Sequence, residues 1–118
     1  MKKVISLIAI IFLASLFMVG CTVSNQSKIL ELEQKISELE EQNKSNQIFI
    51  NSWQSKYDDA KEMYDSTMSM SVPEQSHLDY AKDKMDEAQK EINALKREID
   101  LNNLSIELYE KEFEELQE

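Results

Sequence analysis

Beyond residue 20 the chain has no glycine and a single proline, Pro73. Sheet-rich domains need both residue types to punctuate many tight turns. Their near absence restricts the chain to a few long helices. Glu, Lys, Leu, Ala, Gln and Met are abundant, and these side chains lose little rotamer freedom in a helix. At 118 residues the chain is one small domain at most.

From Ile29 onward, apolar residues recur every three and four positions, the seam spacing of a coiled coil. In the first segment the a positions are Ile29, Ile36, Asn43, Ile50, Tyr57 and Tyr64. The d positions are Leu32, Leu39, Asn46, Trp53, Ala60 and Thr67. The pattern breaks at Ser66–Val72, where serine competes with helical hydrogen bonding, and Pro73 follows. Ser71 and Glu74 have the spacing of a capping box, so a second helix is expected from about residue 72. Its a positions are Leu78, Met85, Ile92, Ile99, Ile106 and Phe113. Its d positions are Ala81, Ala88, Leu95, Asn102, Tyr109 and Leu116.

The two segments are equally long, so the chain can be folded back on itself at the break. With Ile29 facing Leu116 and Thr67 facing Leu78, every a position meets a d position. Between those end layers lie Leu32–Phe113, Ile36–Tyr109, Leu39–Ile106, Asn43–Asn102, Asn46–Ile99, Ile50–Leu95 and Trp53–Ile92. Then come Tyr57–Ala88, Ala60–Met85 and Tyr64–Ala81, where a bulky residue faces a small one in three successive layers. Such alternation fills a core without voids, and a paired asparagine layer fixes register. The expected fold is therefore all-α, an antiparallel two-helix coiled-coil hairpin with arms at about 28–67 and 72–117 and a turn at about 68–72. One uninterrupted helix in a parallel homodimer is the alternative. Flanking charges do not decide between them. Lys35 with Glu112 and Lys56 with Glu91 attract across a hairpin, whereas Glu33 with Glu110 and Lys61 with Lys82 repel. A parallel homodimer also gains favourable pairs, Lys28 with Glu33 and Lys35 with Glu40, and exposed pairs contribute only ~0–1 kcal/mol each.

The formal charge is −10. Such a surface repels nucleic acid and anionic lipid, so neither is an expected partner for the helical body. Cys21 is the only cysteine, which excludes an intramolecular disulfide, and Cys and His are too few for a structural zinc site. His77, the only histidine, has polar neighbours and reads as a solvated side chain. There is no Ser/His/Asp or Cys/His constellation and no glycine-rich phosphate loop. No enzyme activity and no cofactor or metal site is expected.

The first residues carry a different signal. Met1-Lys2-Lys3 is a short cationic start, and Val4–Val19 follows without a charge. That run is apolar enough for export but shorter than the roughly 20 residues that span a bilayer comfortably. It ends in Met18-Val19-Gly20-Cys21, which resembles the lipobox of bacterial lipoproteins, with Met18 where the family usually has Leu. The resemblance covers the leader alone. It implies a signal peptide at 1–20, cleavage between Gly20 and Cys21, and diacylglycerol on the Cys21 sulfur, with the freed amine open to further acylation. Two or three acyl chains at ~0.8 kcal/mol per buried methylene anchor stably, whereas one is marginal. Residues 21–27 are expected to be the lipidated cysteine and a polar tether. Residue 22 is Thr, not the Asp of the common inner-membrane retention signal. The implied location is the extracytoplasmic face of the cell membrane, or the outer membrane in a two-membrane bacterium. The body is loosely similar to the murein lipoprotein family, which ends in a lysine joined to peptidoglycan. Glu118 occupies the last position here, so covalent wall linkage is not expected.

Three regions are candidates for partner contact. Leu101, Leu104 and Leu108 form an apolar stripe outside the seam, joined by Ile48 and Phe49 on the first segment. Met63, Met68, Met70 and Val72 cluster with Tyr64 near the turn, and methionine suits adaptable surfaces, although closure of the hairpin end is their commoner role. Glu41–Gln47 has no apolar residue and reads as a register-setting polar layer. Six glutamates and one lysine in Glu107–Glu118 oppose the helix macrodipole, so the last turn is expected to fray. A two-helix hairpin buries little surface, which makes self-association an expectation too. The leading functional expectation is a structural or protein-interaction lipoprotein engaging an unidentified envelope protein. The alternative is an inhibitor or exclusion factor blocking a surface receptor, channel or cell-wall enzyme.

Overall fold

The structure, a computed structural model, describes the backbone of residues 23–117 and the side chains of residues 25–117. The leader, Gly20 and Cys21 lie outside the described residues. Two helices make up the described chain, α1 (Val23–Met68) and α2 (Gln75–Gln117), with no strand among the described residues. The helices pack against each other as a two-helix hairpin. No helix among the described residues is long and apolar enough to cross a membrane.

The boundaries differ from the sequence expectation at both N-terminal ends. Residues Val23–Ser27, expected to belong to a polar tether, are part of α1, because nothing between Val23 and Ile29 breaks a helix. The second helix starts at Gln75, not near residue 72. Ser71 forms no capping box with Glu74. Glu74 is itself the cap: its carbonyl accepts the N–H groups of His77 (3.1 Å) and Leu78 (3.2 Å). Its carboxylate accepts the Ser76 hydroxyl at 3.1 Å, setting negative charge at the positive end of α2. Pro73 favours an extended conformation at Val72, which keeps the chain out of the helix until it has passed the proline. At the other side of the turn, Ser69 N–H donates to the Asp65 carbonyl and Met70 N–H to the Thr67 carbonyl, at 3.1 and 3.2 Å. The Ser69 hydroxyl donates to the Ser66 carbonyl at 2.8 Å. Three of the last carbonyls of α1 are thus satisfied without a glycine.

Two compact units divide the described chain: 23–41 with 102–117, and Gln42–Leu101. In the first, Leu32, Ile36 and Ile106 are buried, and Ile29, Leu39, Asn102, Tyr109, Phe113 and Leu116 are half-buried. Lys35 reaches over the Tyr109 ring, 5.5 Å from its centroid, as expected if Ile36 and Tyr109 share a layer. Burial also extends beyond the seam to Glu33, whose Oε1 has no hydrogen-bond partner, and burial pushes its carboxyl above the usual range.

In Gln42–Leu101 the heptad rule holds at every position. Each a and d residue is buried or half-buried, and every other residue is exposed. Ala81 and Ala88 are fully enclosed and Ala60 is buried, while Tyr57, Tyr64 and Met85 stay half-buried, as large-against-small layers require. Ile92, at 1% exposure, is the largest fully enclosed side chain of this unit. The polar stretch Glu41–Gln47 is continuous helix, braced by Gln47 Nε2 donating to Asn51 Oδ1 at 3.1 Å. The same four-residue bridge recurs at Gln54–Asp58, Gln75–Asp79 and Gln89–Asn93, contributing about 0.2–0.5 kcal/mol each. Asn43 is half-buried and has a partner. Asn46 is buried, with its Nδ2 lacking an acceptor.

Candidate interaction surface

In a heptad the g and c positions flank the seam on one side and e and b on the other. Within Gln42–Leu101 the two flanks differ in chemistry. The g and c positions carry the exposed apolar residues Phe49, Met63, Tyr80 and Leu101. The e and b positions carry only polar and charged residues, except for Met68 at the end of α1.

The g/c flank is also concave. A groove of about 340 Å³ runs between the helices, floored by Trp53 and Ala60 of the seam. Its α1 wall presents Lys56, Asp59 and Met63, and its α2 wall presents Tyr80, Lys84 and Glu87. All six are exposed. The lysines lie along aromatic rings. Lys56 Nζ is 4.1 Å from the centre of Trp53, and Lys84 Nζ is 5.7 Å from that of Tyr80. Lys84 also pairs with Glu87 at 3.2 Å. That hydrogen-bonded carboxylate raises the Lys84 ammonium pKa, with smaller contributions from Tyr80 and Asp83. Lys56 therefore spends its charge on an aromatic face one turn back along its own helix, and makes no ion pair with Glu91. A second depression near the turn, lined by Asp58, Lys61, Glu62, Asp65, Ser66 and Ser69, is polar throughout.

The residues singled out from sequence sit at the surface. Leu101, Leu104 and Leu108 are 64%, 57% and 68% exposed. Met68 and Met70 are about half exposed, at 51% and 54%, and Val72 is almost fully exposed beside them. The methionines therefore do not cap the end of the seam; Thr67 and Leu78, both buried, do that. Ile48 and Phe49 are exposed as well. His77 is exposed, with Nδ1 3.4 Å from a Glu74 carboxylate oxygen. Lys35 is hydrogen-bonded to Glu31 at 2.9 Å, which holds its ammonium above the usual lysine range. Tyr109 and Glu112, on the other helix, add to that effect. Among the described residues no three His, Cys, Asp or Glu side chains converge to hold a metal ion. The groove itself was not found from sequence, because its apolar members, Met63 and Tyr80, are single residues on separate helices. The signal was the assignment of both to g and c positions.

No family model, curated protein or solved structure matches the chain.

Proposed function

We propose that this chain is a bacterial lipoprotein, anchored through Cys21, whose helical hairpin serves as a protein-interaction module at the cell envelope. The observation that carries the reading is the order of its parts. An apolar leader ends in Met18-Val19-Gly20-Cys21, and a long two-helix hairpin follows. In this reading the sulfur of Cys21 bears diacylglycerol, and the helices carry an exposed, chemically two-sided surface away from the lipid. An unidentified envelope protein is the partner.

The test is to express the chain in bacteria fed an alkyne-bearing fatty acid and to follow label and mass. Labelled protein in the membrane fraction, shortened by residues 1–20, supports the proposal. Cys21→Ala should lose the label and remain uncleaved by the lipoprotein peptidase. An unlabelled native chain contradicts it.

A further inference from the structure

The groove walls of the unit Gln42–Leu101 carry matched rows. Toward the turn, α1 presents Lys56, then Asp59, then Met63. Away from the turn, α2 presents Tyr80, then Lys84, then Glu87. Because the helices are antiparallel in the register of Tyr57–Ala88 and Ala60–Met85, Met63 lies within ~3 Å along the axis of the level of Tyr80, Asp59 of Lys84, and Lys56 of Glu87. Each wall is thus the complement of the other in charge and in apolar character.

We infer that this g/c flank binds a second copy of the chain, giving a four-helix bundle with its two-fold axis running along the groove. A half-turn about that axis lays the α1 row of one copy on the α2 row of its partner. Lys56 then meets the partner's Glu87, Asp59 meets the partner's Lys84, and Met63 meets the partner's Tyr80, each contact occurring twice. A surface that recurs on both subunits and complements itself is what an isologous interface requires. The orientation follows from the charges. A two-fold axis across the groove would set Asp59 against Asp59 and Lys84 against Lys84. With the axis along the groove, every α1–α2 neighbour is antiparallel, as in an up-and-down bundle. Phe49 and Leu101, exposed on the same flank farther from the turn, extend the apolar part of the contact. The e/b flank has no comparable apolar surface in this unit and stays solvated.

The full chain, in mild nonionic detergent, is examined by light scattering over a concentration series, with circular dichroism alongside. The native chain should be a dimer that dissociates on dilution. Lys56→Glu alone and Glu87→Lys alone should each weaken dimerisation by about tenfold, by placing like charges opposite one another at two sites. An equal mixture of the two variants should restore the dimer. Each variant carries like charges within its own groove, so mixing cannot repair intrachain pairing and only pairing between chains explains recovery. If either variant loses helix, Asp59→Lys and Lys84→Asp serve as the pair. A chain that is monomeric at every concentration, or a mixture no better than its components, overturns the inference.

Discussion

The core of residues 23–41 and 102–117 is built from branched aliphatics, with Leu32, Ile36 and Ile106 enclosed. The core of Gln42–Leu101 encloses Ile50, Leu78 and Ile92 as well, but adds a second kind of layer. Alanines at 60, 81 and 88 sit among half-buried aromatics, with Asn46 and Thr67 also buried. Aliphatic layers remove much apolar area per residue and tolerate exchange of one branched side chain for another. Layers of alanine against tyrosine depend on which residue faces which: a shift of one heptad sets Tyr57 against Leu95 in place of Ala88, or Tyr64 against Glu74 in place of Ala81. Enclosed aliphatics should therefore stabilise both units, and the alanine layers should set register in the second.

The largest predicted effects test the aliphatic side of this comparison. Ile36→Ala and Ile106→Ala should each cost about 2–5 kcal/mol in urea unfolding, as enclosed aliphatic truncations do. A cost below about 1 kcal/mol at both would mean that these side chains are not enclosed in solution. Next come the alanines. Ala81→Leu or Ala88→Leu, at positions with no exposed surface, should cost about 1–3 kcal/mol through overpacking. A leucine in place of exposed Lys90, on the face opposite the seam, should be nearly silent.

Smaller and opposite in sign is Asn46. A buried amide N–H without an acceptor keeps its desolvation cost uncompensated. Asn46→Leu should raise stability by about 1–2 kcal/mol and loosen register, seen as a second conformer by NMR. Unchanged or lower stability would mean that the amide is satisfied in solution.

The smallest effect is electrostatic. Glu31 raises the folded-state pKa of Lys35, so stability from that pair is full below the ordinary lysine range. It is lost as pH rises through the raised value. Glu31→Gln should return the Lys35 titration, followed by NMR, toward the usual value. Neutral-pH stability should hardly change, since the pair is largely solvated.

The seam was legible because period and partner give the same answer. Ile92 is apolar, spaced by seven from Met85 and Ile99, and faces Trp53 when the chain is folded back. The start of α2 was misplaced because Ser71 and Glu74 satisfy the capping-box spacing as well as Glu74 caps the helix alone. Spacing cannot show which residue the chain, constrained by Pro73, brings to the helix end. Glu33 was read as a flanking charge, and nothing in its residue type or heptad position announces burial. The groove walls were hidden for a different reason. Lys56 and Glu87 look like ordinary solvated charges until the fold sets them at nearly the same level on one flank.

One chain folds back on itself with Ile50 in the layer of Leu95. In a Cys21→Ala background, cysteines at 50 and 95 can be oxidised under mild conditions and the product resolved on a non-reducing gel. The hairpin should give an intrachain disulfide, with monomer mass and faster migration, and no covalent dimer from the single Ile50→Cys variant. Efficient doubling of mass by that single variant would place residue 50 against residue 50 of another chain, as in a parallel homodimer of uninterrupted helices, and would contradict the hairpin.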